Sequence, residues 1–286
     1  MKVYTSRKNL NSDLSLFKKG QKAIGFVPTM GALHQGHLSL VKQGLADNDM
    51  VVVSIFVNPT QFDNSDDLEK YPRTLDRDVS LLETVSKDAI VVYAPTVADI
   101  YTKKVTSEHF TFDGLEFEME GRFRNGHFDG VGTIVKRLFQ IVEPTRAYFG
   151  EKDFQQLVAI RRMVDDLNLA VEIVGMPIYR EEDGLAMSSR NKYLTPPERQ
   201  AAHSINHALR RAGERFSSGE RSAGSINREE KTIIEAEPLA QIDYVNICDT
   251  KTLHDTEQIT EAAVLAVAVN IGKARLIDNR VLDPSP

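Results

Sequence analysis

Phe26 to His37 reads FVPTMGALHQGH, and the fold class turns on how this stretch is divided. Ala23 to Val27 (AIGFV) has the small and apolar residues of a short buried strand. Pro28 to Gln35 reads as a loop. From Gly36 onward Leu38, Leu40, Val41 and Leu45 mark one face of a helix. This division sets His34 and His37 on either side of Gly36 at a strand–loop–helix junction. Backbone N–H groups and the helix dipole favour an anion at such a junction. Gly31 and Gly36 let a phosphate come close to the backbone, and the two imidazoles add hydrogen-bonding groups at the same place. A tight turn with two surface histidines would satisfy the same spacing, so the remainder of the chain decides.

Outward from this stretch the pattern alternates. Leu10 to Lys19 is expected to be a helix stopped by Gly20. Met50 to Val57 (MVVVSIFV) is a continuous β-branched run, as in a strand buried on both faces of a parallel sheet. It leads into Asn58-Pro59-Thr60-Gln61-Phe62, a loop at the strand's carboxyl end, where open α/β sheets bind ligands. Asp63 to Asp67 is acidic and reads as a mobile loop. Leu75, Val79, Leu82 and Val85 give a helix, and Ala89 to Ala94 (AIVVYA) the next strand. Phe110 to Phe117 reads as an extended excursion, Glu120 to Gly132 as a glycine-rich loop, and Val131 to Val142 as a helix. Arg146 to Phe149 is a strand entering Gly150-Glu151-Lys152-Asp153, followed by a helix from Phe154 and a strand at Val171 to Val174. Strands alternating with helices through short connections predict a Rossmann-like, doubly wound parallel α/β sheet. After Pro177 the chain turns polar and helical (Glu198–Phe216, Ser225–Ala236) and then shows two strand-like runs (Ile242–Ile247, Ala263–Ile271). The expected organisation is a first domain over residues 1–176 and a smaller α+β domain over 177–286.

The 286 residues suffice for two domains, and 41% hydrophobic with 27% charged residues is ordinary globular composition. A net charge of −6 argues against a protein that grips nucleic acid electrostatically. The lone Cys248 excludes an internal disulfide, and no Cys/His cluster suggests structural zinc. The longest apolar runs are too short for a membrane span, so a cytoplasmic protein with no membrane partner is expected.

Three loops are candidates for one site: Thr29–His37, Gly150–Asp153 and Met187–Asn191. Lys152 offers a flexible cation, and Asp153 can accept from ribose hydroxyls. Ser188 and Ser189 offer hydroxyls, and Arg190 a fork matched to phosphate oxygens. Taken singly, GEKD reads more readily as a charged helix cap and MSSRN as a surface turn of small polar residues. His203 and His207 lie four apart on a helix, a pattern that fits a solvated face better than a metal site.

HQGH early and MSSRN late together resemble the paired "HIGH" and "KMSKS" elements of the class I nucleotidyltransferase and synthetase superfamily. Within it, PTMGALHQGH, SIFVNPTQF, YPRT, GHFDGVGTIV, FGEKDFQQL and DGLAMSSRNKYL, in this order from about Phe26 to Leu194, resemble the pantoate–β-alanine ligase (pantothenate synthetase) family. Met187 stands where leucine is also common, and the Asp63–Asp67 loop varies in that family.

The resemblance implies ATP-dependent condensation of pantoate with β-alanine through a pantoyl adenylate, releasing pyrophosphate and AMP. It implies Mg²⁺, with no metal ligands assigned, and a homodimer. It places ATP against Met30, Gly31, Ala32, Leu33, His34, Gln35, Gly36 and His37, against Gly150, Glu151, Lys152 and Asp153, and against Tyr179, Met187, Ser188, Ser189 and Arg190. Tyr179 is expected to act through its backbone. His37, His34, Lys152 and Arg190 form the implied catalytic set. Gln61 and Gln156 are implied to hold pantoate, Gln61 also lying near the β-alanine site, and Asn58, Arg124 and His127 sit in matching stretches. Such a reaction needs no enzyme nucleophile, because the substrate carboxylate attacks. The protein must align the reactants and stabilise charge growing on phosphate oxygens. Other adenylyltransferases of this fold, acting on phosphopantetheine or nicotinamide mononucleotide, lack the NPTQF and GEKDFQQ elements. A truncated aminoacyl-tRNA synthetase fits poorly with the acidic balance. A non-catalytic nucleotide-binding module would need fewer charge-stabilising groups than the two histidines, Lys152 and Arg190.

Overall fold

Valine and isoleucine dominate the short strands of the first half, and these strands pair in parallel. In the computed structural model, which describes residues 1–62, 65–102 and 104–285, six of them form one sheet. They are β1 (Lys2–Tyr4), β2 (Ile24–Thr29), β3 (Met50–Ile55), β4 (Ile90–Tyr93), β5 (Arg146–Gly150) and β6 (Glu172–Met176), in the order β1-β4-β3-β2-β5-β6. β2 pairs with β3 from Ile24↔Met50 to Thr29↔Ile55, and on its other side with β5 at Gly25↔Arg146 and Phe26↔Ala147. The winding therefore reverses at β2: β3 and β4 run out one way, β5 and β6 the other. The crevice at the carboxyl ends of β2 and β5 is the topological switch point, where doubly wound sheets bind nucleotides.

Helices α1 (Arg7–Lys19), α2 (Gln35–Asp47), α4 (Leu75–Glu83), α7 (His127–Val142) and α8 (Phe154–Asp166) connect the strands, with short helices α3 (Ser65–Lys70), α5 (Val97–Ile100) and α6 (Glu120–Phe123) between them. Val27, Val51, Val53 and Val92 pack against Leu38 and Val41 of α2, Leu82 of α4 and Tyr148 of β5 in one buried cluster. Each such side chain contributes about 1.5–3 kcal/mol on burial. This cluster fixes where β2 ends and α2 begins.

The second half builds a different layer. A capping box between Thr195 and Glu198 starts α9 (Pro196–Ser217), and Ser222 caps α10 (Ala223–Glu235). Three antiparallel strands follow, β7 (Ala240–Asp249), β8 (Ala263–Ile271) and β9 (Ala274–Leu282), in the order β7-β8-β9. Ile205, Leu209 and Phe216 of α9 and Ile226 and Ile234 of α10 share a core with Ile247, Leu265, Val267, Val269 and Leu276 of the sheet. The doubly wound α/β sheet and the smaller α+β region are both as expected. By contact density the chain divides into Met1–Glu151 with Ala159–Pro177, and Lys152–Val158 with Ile178–Pro286.

Several elements differ from the sequence reading. β2 continues through Pro28 and Thr29, because Pro28 opposes Ser54 and needs no N–H there. β1 and β9 have no counterpart in that reading. α7 begins at His127, inside the stretch read as a loop. Its Gly130 and Gly132 are packing glycines: an added Cβ at Gly130 would lie 2.4 Å from the Thr60 carbonyl oxygen, and one at Gly132 2.9 Å from the Phe110 ring. Phe110 to Phe117 forms no strand, and Phe110 stacks on Phe112 instead. The acidic stretch from Asp63 lies partly outside the described residues, and from Ser65 it is helix α3.

Candidate active site

The PTMGALHQGH loop leaves β2 through two consecutive left-handed residues, Gly31 (φ 84°) and Ala32 (φ 51°). Glycine takes that conformation readily and alanine at a cost of roughly 1 kcal/mol. A buried carboxylate offsets the cost. Asp78, on α4, accepts the backbone N–H groups of Ala32 at 3.0 Å and Leu33 at 2.9 Å, and the Thr74 hydroxyl at 3.1 Å. Thr29 tightens the turn, its hydroxyl accepting from Gly31 N–H at 3.1 Å and donating to the Ser54 carbonyl at 2.7 Å. The loop is therefore fixed before any ligand arrives, at the carboxyl edge of β2 and β3.

His34 is the N-cap of α2, and its N–H donates to Nδ1 of His37 at 3.3 Å. The two rings lie 4.0 Å apart, tilted by 40°. Burial, with the neighbouring His34 second, pushes the His37 imidazole down to about 3. His37 is thus neutral near pH 7. Because Nδ1 accepts a hydrogen bond, its proton sits on Nε2, a donor beside the N-terminus of α2. The sequence suggested a charge-neutralising histidine; the geometry makes it a neutral hydrogen-bond donor backed by a helix dipole.

After β3, a single 3₁₀ turn (Pro59–Gln61) carries Asn58 and Gln61. Gln61 is 8% exposed; its Oε1 accepts from Asn58 Nδ2 at 3.2 Å and its Nε2 points at the Met30 sulfur, 3.0 Å away. The turn abuts the first turn of α7. His127 Nδ1 lies 3.1 Å from the Gln61 carbonyl oxygen, an acceptor, so Nδ1 bears the proton and Nε2 accepts from Arg124 at 3.1 Å. Met30, Asn58, Gln61, Arg124 and His127 are thereby brought into one connected group with the histidine loop's first residues.

The remaining predicted residues fall in two further places. Gly150 ends β5 beside β2, and Glu151–Asp153 is a 3₁₀ turn before α8, whose first turn holds the half-buried Gln156. Lys152 shares a small cleft with Ser188, Asn191 and Asp278, and its carbonyl accepts from Asn279 Nδ2 at 3.1 Å. The Met187–Arg190 loop hangs on backbone bonds: Met187 N–H donates to the Tyr179 carbonyl at 2.9 Å, and Ser188 Oγ accepts from Arg190 N–H at 3.2 Å. Tyr179's side chain is exposed, in keeping with a backbone role. Buried Asn191 pins the loop, donating to the Ala186 carbonyl at 3.1 Å and to Glu181 at 2.5 Å. Arg199 of α9 holds Glu181 at 2.7 Å and Asp183 at 2.6 Å, and Asp183 also meets His203 at 3.1 Å. His203 thus belongs to this bracing network rather than to a bare solvated face. Among the described residues neither Lys152 nor Arg190 is paired with a carboxylate, so both cations are available to an anion.

A family model described as pantoate-beta-alanine ligase matches residues 2–281. The chain belongs to the pantoate–β-alanine ligase family. It is 52% identical over 262 residues to the pantothenate synthetase of Roseiflexus castenholzii, covering 91% of this chain and 93% of the relative. It is 49% identical over 283 residues to that of Flavobacterium psychrophilum, covering 98% and 99%. The crystal structure of pantothenate synthetase from Thermus thermophilus superposes with a TM-score of 0.92 at 42% identity, covering 99% of this chain and all (100%) of that one. A pantoate-beta-alanine ligase from Francisella tularensis, complexed with beta-gamma ATP and beta-alanine, superposes with a TM-score of 0.81 at 36% identity, covering 98% and 97%. As a pantoate–β-alanine ligase, the protein is a carbon–nitrogen ligase of pantothenate biosynthesis.

Asp78 in the first unit, and Glu181 and Asn191 in the second, brace the loops of their own unit, a role the sequence reading gave to none of them. Asp78 follows closely on the YPRT motif, yet nothing local says that its carboxylate reaches 46 residues back to Ala32. Among the described residues no group of three or more His, Cys, Asp or Glu side chains could hold a metal ion.

Proposed function

We infer that this chain joins pantoate to β-alanine in two steps. The pantoate carboxylate attacks the α-phosphorus of ATP in line, and the bond to the bridging oxygen of pyrophosphate breaks. The β-alanine amine then attacks the acyl carbon of pantoyl adenylate, and AMP leaves with the electron pair of the broken C–O bond. The observation that carries this reading is the pairing of two fixed donors after adjacent strands: the Nε2–H of neutral His37 at the start of α2, and the Nε2 amide of buried Gln61 after β3. A phosphate oxygen fits the first. A carboxylate or hydroxyl of pantoate fits the second, without an added charge that would hold the carboxylate back.

Met30 to His37 cradle the triphosphate on this reading, with His34 and His37 as donors and the α2 dipole favouring negative charge. Gly150 to Asp153, Tyr179 and Met187 to Arg190 complete the nucleotide site. Lys152 and Arg190 stabilise charge on the leaving pyrophosphate, and Gln156 joins Gln61 on pantoate. Residues 1–176 form the nucleotide- and pantoate-binding domain, and residues 177–286 the domain carrying the MSSRN loop. Among the described residues no carboxylate cage stands ready for a metal, and on this reading the Mg²⁺ that the family resemblance implies enters as the counter-ion of the nucleotide phosphates, part of the Mg–ATP substrate. A cytoplasmic homodimer completes the reading. What supports the location is that no helix among the described residues is long and apolar enough to cross a membrane.

The deciding experiment is ATP–pyrophosphate exchange with and without pantoate, followed by AMP release on adding β-alanine. Exchange strictly dependent on pantoate, and AMP release strictly dependent on β-alanine, are expected. Exchange indifferent to pantoate would remove the adenylate mechanism.

A further inference from the structure

Gln61 lies in the wall of the first unit with its amide already oriented, and the group that orients it comes from outside every motif of the chain. Asn58, 1% exposed, spends its whole hydrogen-bonding capacity internally. Its Nδ2 donates to Gln61 Oε1 at 3.2 Å and to the Gly130 carbonyl at 3.1 Å. Its Oδ1 receives the Tyr101 hydroxyl at 2.6 Å, the Thr60 hydroxyl at 3.2 Å and the Thr60 N–H at 3.4 Å. The shortest of these is the one from Tyr101. The Gly130 carbonyl, which only accepts, and the Thr60 N–H, which only donates, settle which end of the Asn58 carboxamide is nitrogen and which is oxygen, and the Tyr101 hydroxyl holds that orientation with the shortest bond. With oxygen toward Tyr101, Asn58 must turn its NH₂ to Gln61. Gln61 must then answer with its own oxygen, which leaves its NH₂ as the donor on the far side, beside the Met30 sulfur at 3.0 Å.

Tyr101 follows directly on α5 and is itself held. It is 4% exposed, the Arg137 guanidinium lies 4.5 Å above its ring, and the same guanidinium donates to the Ile100 carbonyl at 3.1 Å. Burial raises the pKa of the phenol, so it keeps its proton, and its donor role, throughout the neutral range.

We propose that Tyr101 is a positioning residue for pantoate, setting through Asn58 the donor face of the Gln61 amide. The assignment rests on the reading of Gln61 as a pantoate-binding group. Without the Tyr101 hydroxyl, Oδ1 of Asn58 keeps only its longer bonds from Thr60. Asn58 is then held less firmly against Gln61, and the Gln61 amide presents its NH₂ to the substrate's carboxylate or hydroxyl oxygens with less precision.

The test compares Tyr101→Phe, Gln61→Met and the double variant, each with melting temperature recorded and KM for pantoate and for ATP measured separately. Tyr101→Phe is expected to raise the pantoate KM about threefold to tenfold, the worth of one net hydrogen bond, with the ATP KM within about twofold of wild type on the same grounds. Gln61→Met should raise the pantoate KM further, and adding Tyr101→Phe to it should change nothing more, since there is no amide left to orient. A Tyr101→Phe effect that persists in full on the Gln61→Met background, or that raises both KM values alike, would overturn the proposal. So would a Tyr101→Phe variant with wild-type pantoate KM while Gln61→Met is impaired. If Gln61→Met itself leaves pantoate KM unchanged, the pantoate reading of Gln61 falls, and the role of Tyr101 with it.

Discussion

Two residues shape the loop that follows β2: His37, at its far end, and Asp78, behind it. His37 is neutral because its ring is buried and crowded by His34, which pushes its pKa down to about 3 from the ordinary imidazole value of 6.5. The unfolded chain therefore takes up this proton first as pH falls. The contribution to stability is whole above about 6.5 and drains away as pH drops toward 3. An NMR titration of the ligand-free protein should show the His37 imidazole unchanged between pH 8 and 5; a midpoint near 6.5 would show that the ring is solvated and cationic when ATP arrives. Asp78 acts one step further back, by satisfying two backbone donors of a loop that includes a left-handed alanine. Asp78→Ala leaves both N–H groups buried without an acceptor, a loss of about 3 kcal/mol. Denaturant unfolding should register that loss, and ATP should bind at least tenfold more weakly, because the loop no longer arrives preformed. Tight ATP binding by a destabilised Asp78→Ala protein would separate the two roles and confine Asp78 to folding.

At the scale of elements, α7 comes unusually close to the 3₁₀ turn holding Gln61. Gly130 is the reason it is possible. A methyl group there would stand 2.4 Å from the Thr60 carbonyl oxygen and 2.6 Å from the Gln61 Cα, both backbone atoms that no rotamer change can move. Gly130→Ala must push the turn off the helix, breaking the Asn58–Gly130 bond and the His127–Gln61 bond together. Overpacking of this kind costs about 1–3 kcal/mol. The expected kinetic signature is a raised pantoate KM in protein that still folds, read by steady-state kinetics beside a thermal melt. The same glycine explains why α7 was hard to read. GHFDGVG has the composition of a flexible loop, and local propensity gives no hint that its glycines serve a packed interface. By contrast β3 was legible because a strand buried on both faces must be apolar throughout. β1 was not, being a three-residue edge strand with exposed side chains. β9 was missed because ARLIDNRVL alternates only at its start, with Arg180 pairing to Asp278 where a core residue would be expected. Asp78 and Tyr101 escaped for a common reason: their contacts span 46 and 43 residues, beyond any periodicity.

At the scale of the whole molecule, the second unit has a hydrophobic core of its own, which among the described residues draws every one of its buried members from Leu185 to Leu282. Lys152–Val158 clusters with that unit but adds no buried member to this core, and Asn279 donates to the Lys152 carbonyl. A fragment of residues 178–286 should therefore fold alone, with a cooperative thermal transition followed by circular dichroism. Its stability should carry the mark of Glu230, a carboxyl on α10 that is 1% exposed and lacks a hydrogen-bond partner for either oxygen. Desolvation, and next the charge of Glu229, raise its pKa from the ordinary carboxyl value of 4.5 to about 8. The folded fragment keeps this proton where the unfolded chain has lost it. Stability thus falls steadily as pH rises from about 4.5 through 8 and levels off beyond. Glu230→Gln removes the titration while keeping the shape. The variant fragment should melt higher than the parent at pH 9 and close to it at pH 5, and full-length protein should show the same difference in whichever transition reports the second core. A fragment with no cooperative transition would mean that this core needs the first unit to form. A pH-independent difference between the two fragments would mean that Glu230 is already ionised in the fold.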